Sequence, residues 1–150
     1  MRRIAAAFLT ALLVLFLDRA AKITAAGALA HGKSIAVIPG KFHLTLVLNK
    51  GAAFGILKDQ ISFFILLSAA VIIFIVIYLW KNKTGSILTL VASGMLLGGA
   101  AGNLADRIMF GHVIDFLDFR IWPVFNIADS AISIGAAILA ASVLLRKDSK

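Results

Sequence analysis

Every acidic residue in the chain is an aspartate: Asp18, Asp59, Asp106, Asp115, Asp118, Asp129 and Asp148. Carboxylate chemistry therefore has seven candidates. Two carboxyls brought together can divide acid and base work, one ionised to take a proton from water and one protonated to polarise a carbonyl. Cysteine is absent, which removes thiol nucleophiles, thiolate metal ligands and disulfides. His31, His43 and His112 show no ligand spacing, so neither a metal site nor a cofactor is expected. A serine nucleophile, Ser130 or Ser93 beside Lys22 or a histidine, has no local sequence support.

Three polar pairs recur at helical spacing. Asp18 and Lys22 stand four residues apart and suit an ion pair. Asn103 and Arg107 share a face at the same spacing, where the arginine either reaches a substrate backbone or simply pairs with Asp106 or snorkels to head groups. Asn126 precedes Asp129 by three residues, and either orients it or caps a helix start. Asp118, Asp59 and Asp148 have ordinary solvated readings.

The elements that must position these residues are membrane helices. The composition is 61% hydrophobic and the mean hydropathy is +1.02, leaving too little polar material to cover a water-soluble surface. The net charge of +8 is spread over the chain instead of gathered on one face, which argues against nucleic acid as a partner. Spans are expected at residues 4–28, 61–80, 86–105 and 124–145, each long enough to cross a hydrocarbon core of about 30 Å. A cleaved leader is the rival for the first, from Arg2 and Arg3 before an apolar run with Ala28-Leu29-Ala30 downstream, but the charged stretch after Leu17 separates that site from the run.

Arg2, Arg3, Lys81, Lys83, Arg146, Lys147 and Lys150 all lie in short segments at one end of the spans. Such clustering marks the cytoplasmic side, so both termini are expected there, with the longer loops at 31–60 and 106–123 outside. In the first loop Phe42, Leu44, Leu46 and Leu48 alternate with His43, Thr45 and Val47 after Pro39-Gly40, the period of a half-buried strand. The expected architecture is an all-α membrane protein of four transmembrane helices with a small extramembrane β-strand element on the outer side, one domain over residues 1–150. Gly94, Gly98 and Gly102 form a face every four residues that lets a neighbouring helix approach closely.

Depth follows from a rise of about 1.5 Å per residue: Asp18 lies roughly 21 Å from the cytoplasmic end of its span, and Asn103 and Asp129 roughly 26 Å along theirs. Three helices thus deliver polar groups to one layer. A carboxylate there costs up to about 2.5–3.5 kcal/mol, less toward the interface, and is expected to face the bundle interior with partners. For Asp129 alone the bland reading is a carboxylate beside the free amides of a helix start.

Four strings hold the polar content: Asp18-Arg19-Ala20-Ala21-Lys22; Asn49-Lys50-Gly51-Ala52-Ala53-Phe54; Gly98 through Arg107 leading to Val113-Ile114-Asp115-Phe116; and Phe125-Asn126-Ile127-Ala128-Asp129-Ser130. Their order and placement resemble lipoprotein signal peptidase (signal peptidase II) over residues 18–130. The resemblance implies a membrane aspartyl endopeptidase with Asp115 and Asp129 as catalytic aspartates and Asp18, Lys22, Asn49, Gly51, Asn103, Arg107, Asn126 and Ala128 as the supporting site. It implies cleavage of bacterial prolipoproteins before a diacylglyceryl-modified cysteine, contact with membrane lipid, inhibition by globomycin-like cyclic peptides, and a place in the bacterial inner membrane with the site near the outer face. A monomer is expected. The stretch between Asp115 and Asp129 is toward the short end for the family.

Two other function classes compete. A small transporter or proton pathway would use intramembrane Asp18, Lys22 and Asp129. A non-catalytic scaffold would clamp lipidated peptides between the glycine face and the outer strand.

Overall fold

The computed structural model of the protein describes residues 2–29, 33–51, 59–81 and 85–147. Ala52, Ala53 and Phe54 of the second string, together with His31, Lys83, Asp148 and Lys150, lie outside them. The elements run α1 (Arg2–Ala28), β1 (Ser34–Ile38), β2 (Phe42–Asn49), α2 (Ile61–Lys81), α3 (Ile87–Phe110), β3 (Val113–Asp118) and α4 (Ile127–Lys147). Within these helices four stretches are long and apolar enough to cross a membrane, Ile4–Ala28, Ile61–Lys81, Ile87–Phe110 and Ile127–Leu145.

Helix α3 is the centre of the bundle. Its apolar window is 56% buried, against 11–22% for the other three. The outward faces of those three carry large exposed apolar side chains, among them Phe16, Leu66, Phe74 and Leu144, which lipid solvates. Small residues bring the backbones together. A methyl carbon added at Gly98 would lie 2.5 Å from the Ala11 carbonyl oxygen of α1, and one at Gly99 2.5 Å from the Ala128 carbonyl oxygen of α4. Gly94 approaches Ala7 in the same way. The expected glycine face is thus the α1 seam, while Gly99 and Gly135 form a second seam toward α4.

Two span boundaries differ from expectation. Helix α3 continues to Phe110, beyond residue 105, because the polar Asn103, Asp106 and Arg107 find partners and the helix ends only where Gly111 adopts φ +71° and its N–H bonds the Arg107 carbonyl at 3.0 Å. Helix α4 starts at Ile127 instead of 124, because Phe125 is drawn into backbone bonds with Leu117 and Asn126 caps the helix.

The expected strand is β2, and it is the centre of a three-stranded antiparallel sheet ordered β1-β2-β3. The β1–β2 turn places Gly40 at φ +73° after Pro39, with the Lys41 N–H bonded to the Ile38 carbonyl, as a type II turn requires. One apolar face of the sheet sits on the end of α1, where Leu46, Ile114 and Phe116 pack with Ala25 and Leu29. Strand β3 had no period-two pattern to find, because Val113, Ile114, Asp115 and Phe116 are all buried.

Candidate active site

Asn126 organises the site. It precedes the first turn of α4, and its Oδ1 accepts the Asp129 N–H at 2.8 Å, while Asp129 Oδ2 accepts the Asn126 N–H at 3.3 Å. This reciprocal arrangement satisfies two otherwise free amides of a helix start. The Asn126 amide then donates from Nδ2 to Asp115 Oδ1 at 2.7 Å and to Asn103 Oδ1 at 3.2 Å. The buried Asn126 side chain acts as the cap, while the bond to the Asp129 carboxylate comes from the Asn126 backbone N–H.

Asp115 is presented by β3 and is 1% exposed. Its second oxygen, Oδ2, accepts from Asn49 Nδ2 at 2.9 Å; Asn49 ends β2 and is itself held by the Gly51 N–H at 2.9 Å on its Oδ1. Asp129 Oδ1 accepts from Asn103 Nδ2 at 2.8 Å. Asp115 and Asp129 line one cavity of about 240 Å³ with Asn49, Gly51, Asn103 and Arg107. Burial, and next the neighbouring Asp129 carboxylate, push the Asp115 carboxyl up to about 7, against the pull of the Asn49 and Asn126 hydrogen bonds. The Asp115 carboxyl thus sits well above the ordinary carboxylate range, beside a second carboxylate.

Behind this pair lies a closed ionic layer. Lys22, fully buried, bonds Asp18 Oδ2 at 2.8 Å, Asp106 Oδ2 at 2.9 Å and Asn103 Oδ1 at 3.0 Å, which uses its three N–H donors. Asp18 Oδ1 accepts the Ala128 N–H at 2.9 Å, a second tie on the α4 start. Ala128 is fully buried where α4 meets Gly99, so its small side chain serves packing. Arg107 donates to the Asn103 carbonyl at 3.3 Å and stacks 5.0 Å over the Phe64 ring. It does not take Asp106 as partner, because that carboxylate is occupied by Arg19 at 2.9 Å and by Lys22.

All ten residues singled out in the sequence meet in this region. Two were missed: Asp106 and Arg19, whose partners stand 87 residues apart in the chain. Asp118 is also corrected. It is 5% exposed, not solvated, and accepts from Thr45 Oγ1 at 2.8 Å and from the Arg120 N–H at 2.9 Å, bracing β2 against β3. The serines are committed elsewhere, Ser93 Oγ to the Thr89 carbonyl and Ser130 Oγ to the Asn126 carbonyl. Among the described residues no three His, Asp or Glu side chains gather as a metal-binding group.

Comparison with known proteins places the fold and the sequence. The family model for signal peptidase (SPase) II matches residues 10–145. A lipoprotein signal peptidase of Halothermothrix orenii is 48% identical over 132 residues, 88% of this chain and 90% of the relative. One from Pelotomaculum thermopropionicum is 41% identical over 141 residues, 94% and 93% of the two chains. A bacterial membrane enzyme solved by the in meso method at 2.3 Å resolution superposes with a TM-score of 0.92 at 33% identity, covering 97% of this chain and 92% of that one. With matching spans, sheet and sequence over nearly its whole length, the chain belongs to the signal peptidase II family.

Proposed function

We propose that this protein is an aspartyl endopeptidase that cleaves prolipoproteins before a diacylglyceryl-modified cysteine, with Asp115 and Asp129 as its catalytic pair. Family membership makes it a multi-pass membrane protease acting on prolipoprotein signal peptides. The observation that carries the finer reading is the buried Asn126 side chain, which hydrogen-bonds both Asp115 and the backbone of Asp129, the two aspartates that line one cavity.

We assign the acid role to Asp115, whose carboxyl is pushed up to about 7 by burial and by the Asp129 charge. Asp129 then carries the negative charge of the pair, at a helix N-terminus that favours an anion and with Asn103 donating to it. Ionised Asp129 takes a proton from water as the oxygen adds to the scissile carbonyl, while Asp115 donates a hydrogen bond to the carbonyl oxygen. The tetrahedral adduct collapses as Asp129 returns the proton to the leaving amine nitrogen, which regenerates the pair. Asn49, Gly51, Asn103 and Asn126 hold the two carboxyls, Asp18, Lys22 and Ala128 fix the helix ends beneath them, and Arg107 faces the cavity as a donor to substrate backbone carbonyls.

Residues 1–150 act as one monomeric peptidase domain in the bacterial inner membrane, both termini cytoplasmic and the sheet on the outer face, and globomycin-like cyclic peptides compete for the cavity. The charge distribution of the short segments supports this orientation. A proton-pathway reading loses its basis in the closed ionic layer, where Lys22 has no N–H left to relay.

The test is cleavage by the purified protein of a diacylated peptide and its unmodified counterpart in water enriched in heavy oxygen. Cutting of the diacylated peptide alone, with label in the new carboxylate and no hydroxylamine-trapped acyl-enzyme, is expected. Binding without cleavage, or a trapped acyl-enzyme, contradicts the proposal.

A further inference from the structure

Asp106 has no part in the proton transfers, yet it is 1% exposed and lies where three elements meet. Its Oδ1 takes Arg19 at 2.9 Å, and its Oδ2 takes both Lys22 at 2.9 Å and the Ile114 backbone N–H at 3.2 Å. Ile114 immediately precedes Asp115, and its carbonyl accepts from Asn126 Nδ2 at 3.4 Å. The chain leading into Asp115 is therefore gripped on one side by α3 and on the other by the start of α4.

We infer that Asp106 is a positioning residue for Asp115, clamping the β3 backbone onto α3 while neutralising the Lys22 charge behind the pair. This rests on the aspartate-pair reading. The charge argument runs through the groups around Asp115: Asp129 from α4, Lys22 from α1 and Arg107 from α3 act on it directly, Asp18 and Asp106 act through their pairing with Lys22, and β2 contributes the neutral Asn49. In the native layer Arg19 and Lys22 balance Asp18 and Asp106. Removing the Asp106 charge leaves a net positive layer, which favours the ionised form of Asp115 and releases its proton at lower pH.

The experiment is the pH profile of kcat for a diacylated peptide with Asp106→Asn, Asp106→Glu, Arg19→Gln and Asp115→Asn in the full chain. Asp106→Asn is expected to lower kcat ~10- to 100-fold through misplacement of Asp115 and to move the alkaline limb down by roughly one pH unit. Asp106→Glu restores the position of the limb. Arg19→Gln, at a half-exposed side chain, leaves the layer one charge more negative and moves the limb upward, by less because solvent screens it. It decides the matter if Asp106→Asn does not accumulate as folded protein. A reduced rate with an unmoved limb in every variant, while Asp115→Asn is inactive, overturns the positioning role and leaves the pair intact. Wild-type turnover by Asp115→Asn instead overturns the pair reading, and the inference falls with it.

Discussion

Two carboxylate groupings lie within a few side chains of each other at the sheet end of the bundle, and they are built in opposite ways. In the Lys22 layer, Asp18 and Asp106 meet two cations and two backbone N–H groups, and both carboxylates are buried. In the pair above it, Asp115 and Asp129 accept, among the described residues, from neutral amide and backbone donors, and they line an open space with Arg107. Pairing with cations offsets part of the cost of burying a carboxylate and ties it into the framework. On the aspartate-pair proposal, two carboxyls without a direct salt bridge, with Arg107 across the same cavity, share one proton, and that sharing would make them reactive.

The largest effect expected from breaking this contrast falls on the pair. Asp129→Asn should lower the rate of prolipoprotein peptide cleavage ~100- to 10,000-fold, with the protein still folded in detergent by circular dichroism. Breaking the layer should act on the fold instead. Lys22→Met leaves Asp18 without a cation and Asp106 with Arg19 alone, and about 3–5 kcal/mol of destabilisation is expected, read as a lost or much lowered thermal midpoint.

Gly98→Ala tests the scaffold beneath both. The added methyl meets the Ala11 carbonyl at 2.5 Å, so α1 must shift, at a cost of about 1–3 kcal/mol in thermal unfolding. The pH profile sharpens the contrast without mutation. Burial and the Asp129 charge push the Asp115 carboxyl up to about 7, so if the coupled pair must hold one proton, kcat should fall as pH rises through about 7. Smallest of all, Asp59→Asn, an exposed loop position at φ +64° that asparagine also accepts, should leave activity and stability within about 0.5 kcal/mol.

The spans were legible because lipid imposes an unbroken apolar stretch of fixed length, and the layer was legible because Asp18, Asn103 and Asp129 each fall at a countable depth. The ion pair of Asp18 and Lys22 follows from spacing on one helix. Asp115 is different: its strand is buried on both faces, so no alternation marks it, and only the resemblance to a family singled it out. Asp106 was hidden because its nearest cation in sequence, Arg107, points to Phe64 and the Asn103 carbonyl, while its true partners come from α1. Long-range pairing of this kind depends on which helix faces meet, and the glycine seams that bring α1 and α3 together determine that only after packing. Asp118 was read as solvated for the same reason, since Thr45 reaches it only across the assembled sheet.

The most direct test of the central claim is cleavage of a diacylated peptide by Asp115→Asn and Asp129→Asn, each purified and shown to keep the wild-type thermal midpoint to within a few degrees. The aspartate-pair account predicts that both variants bind the peptide and neither cuts it at more than about a hundredth of the wild-type rate. Wild-type turnover in either variant would contradict it.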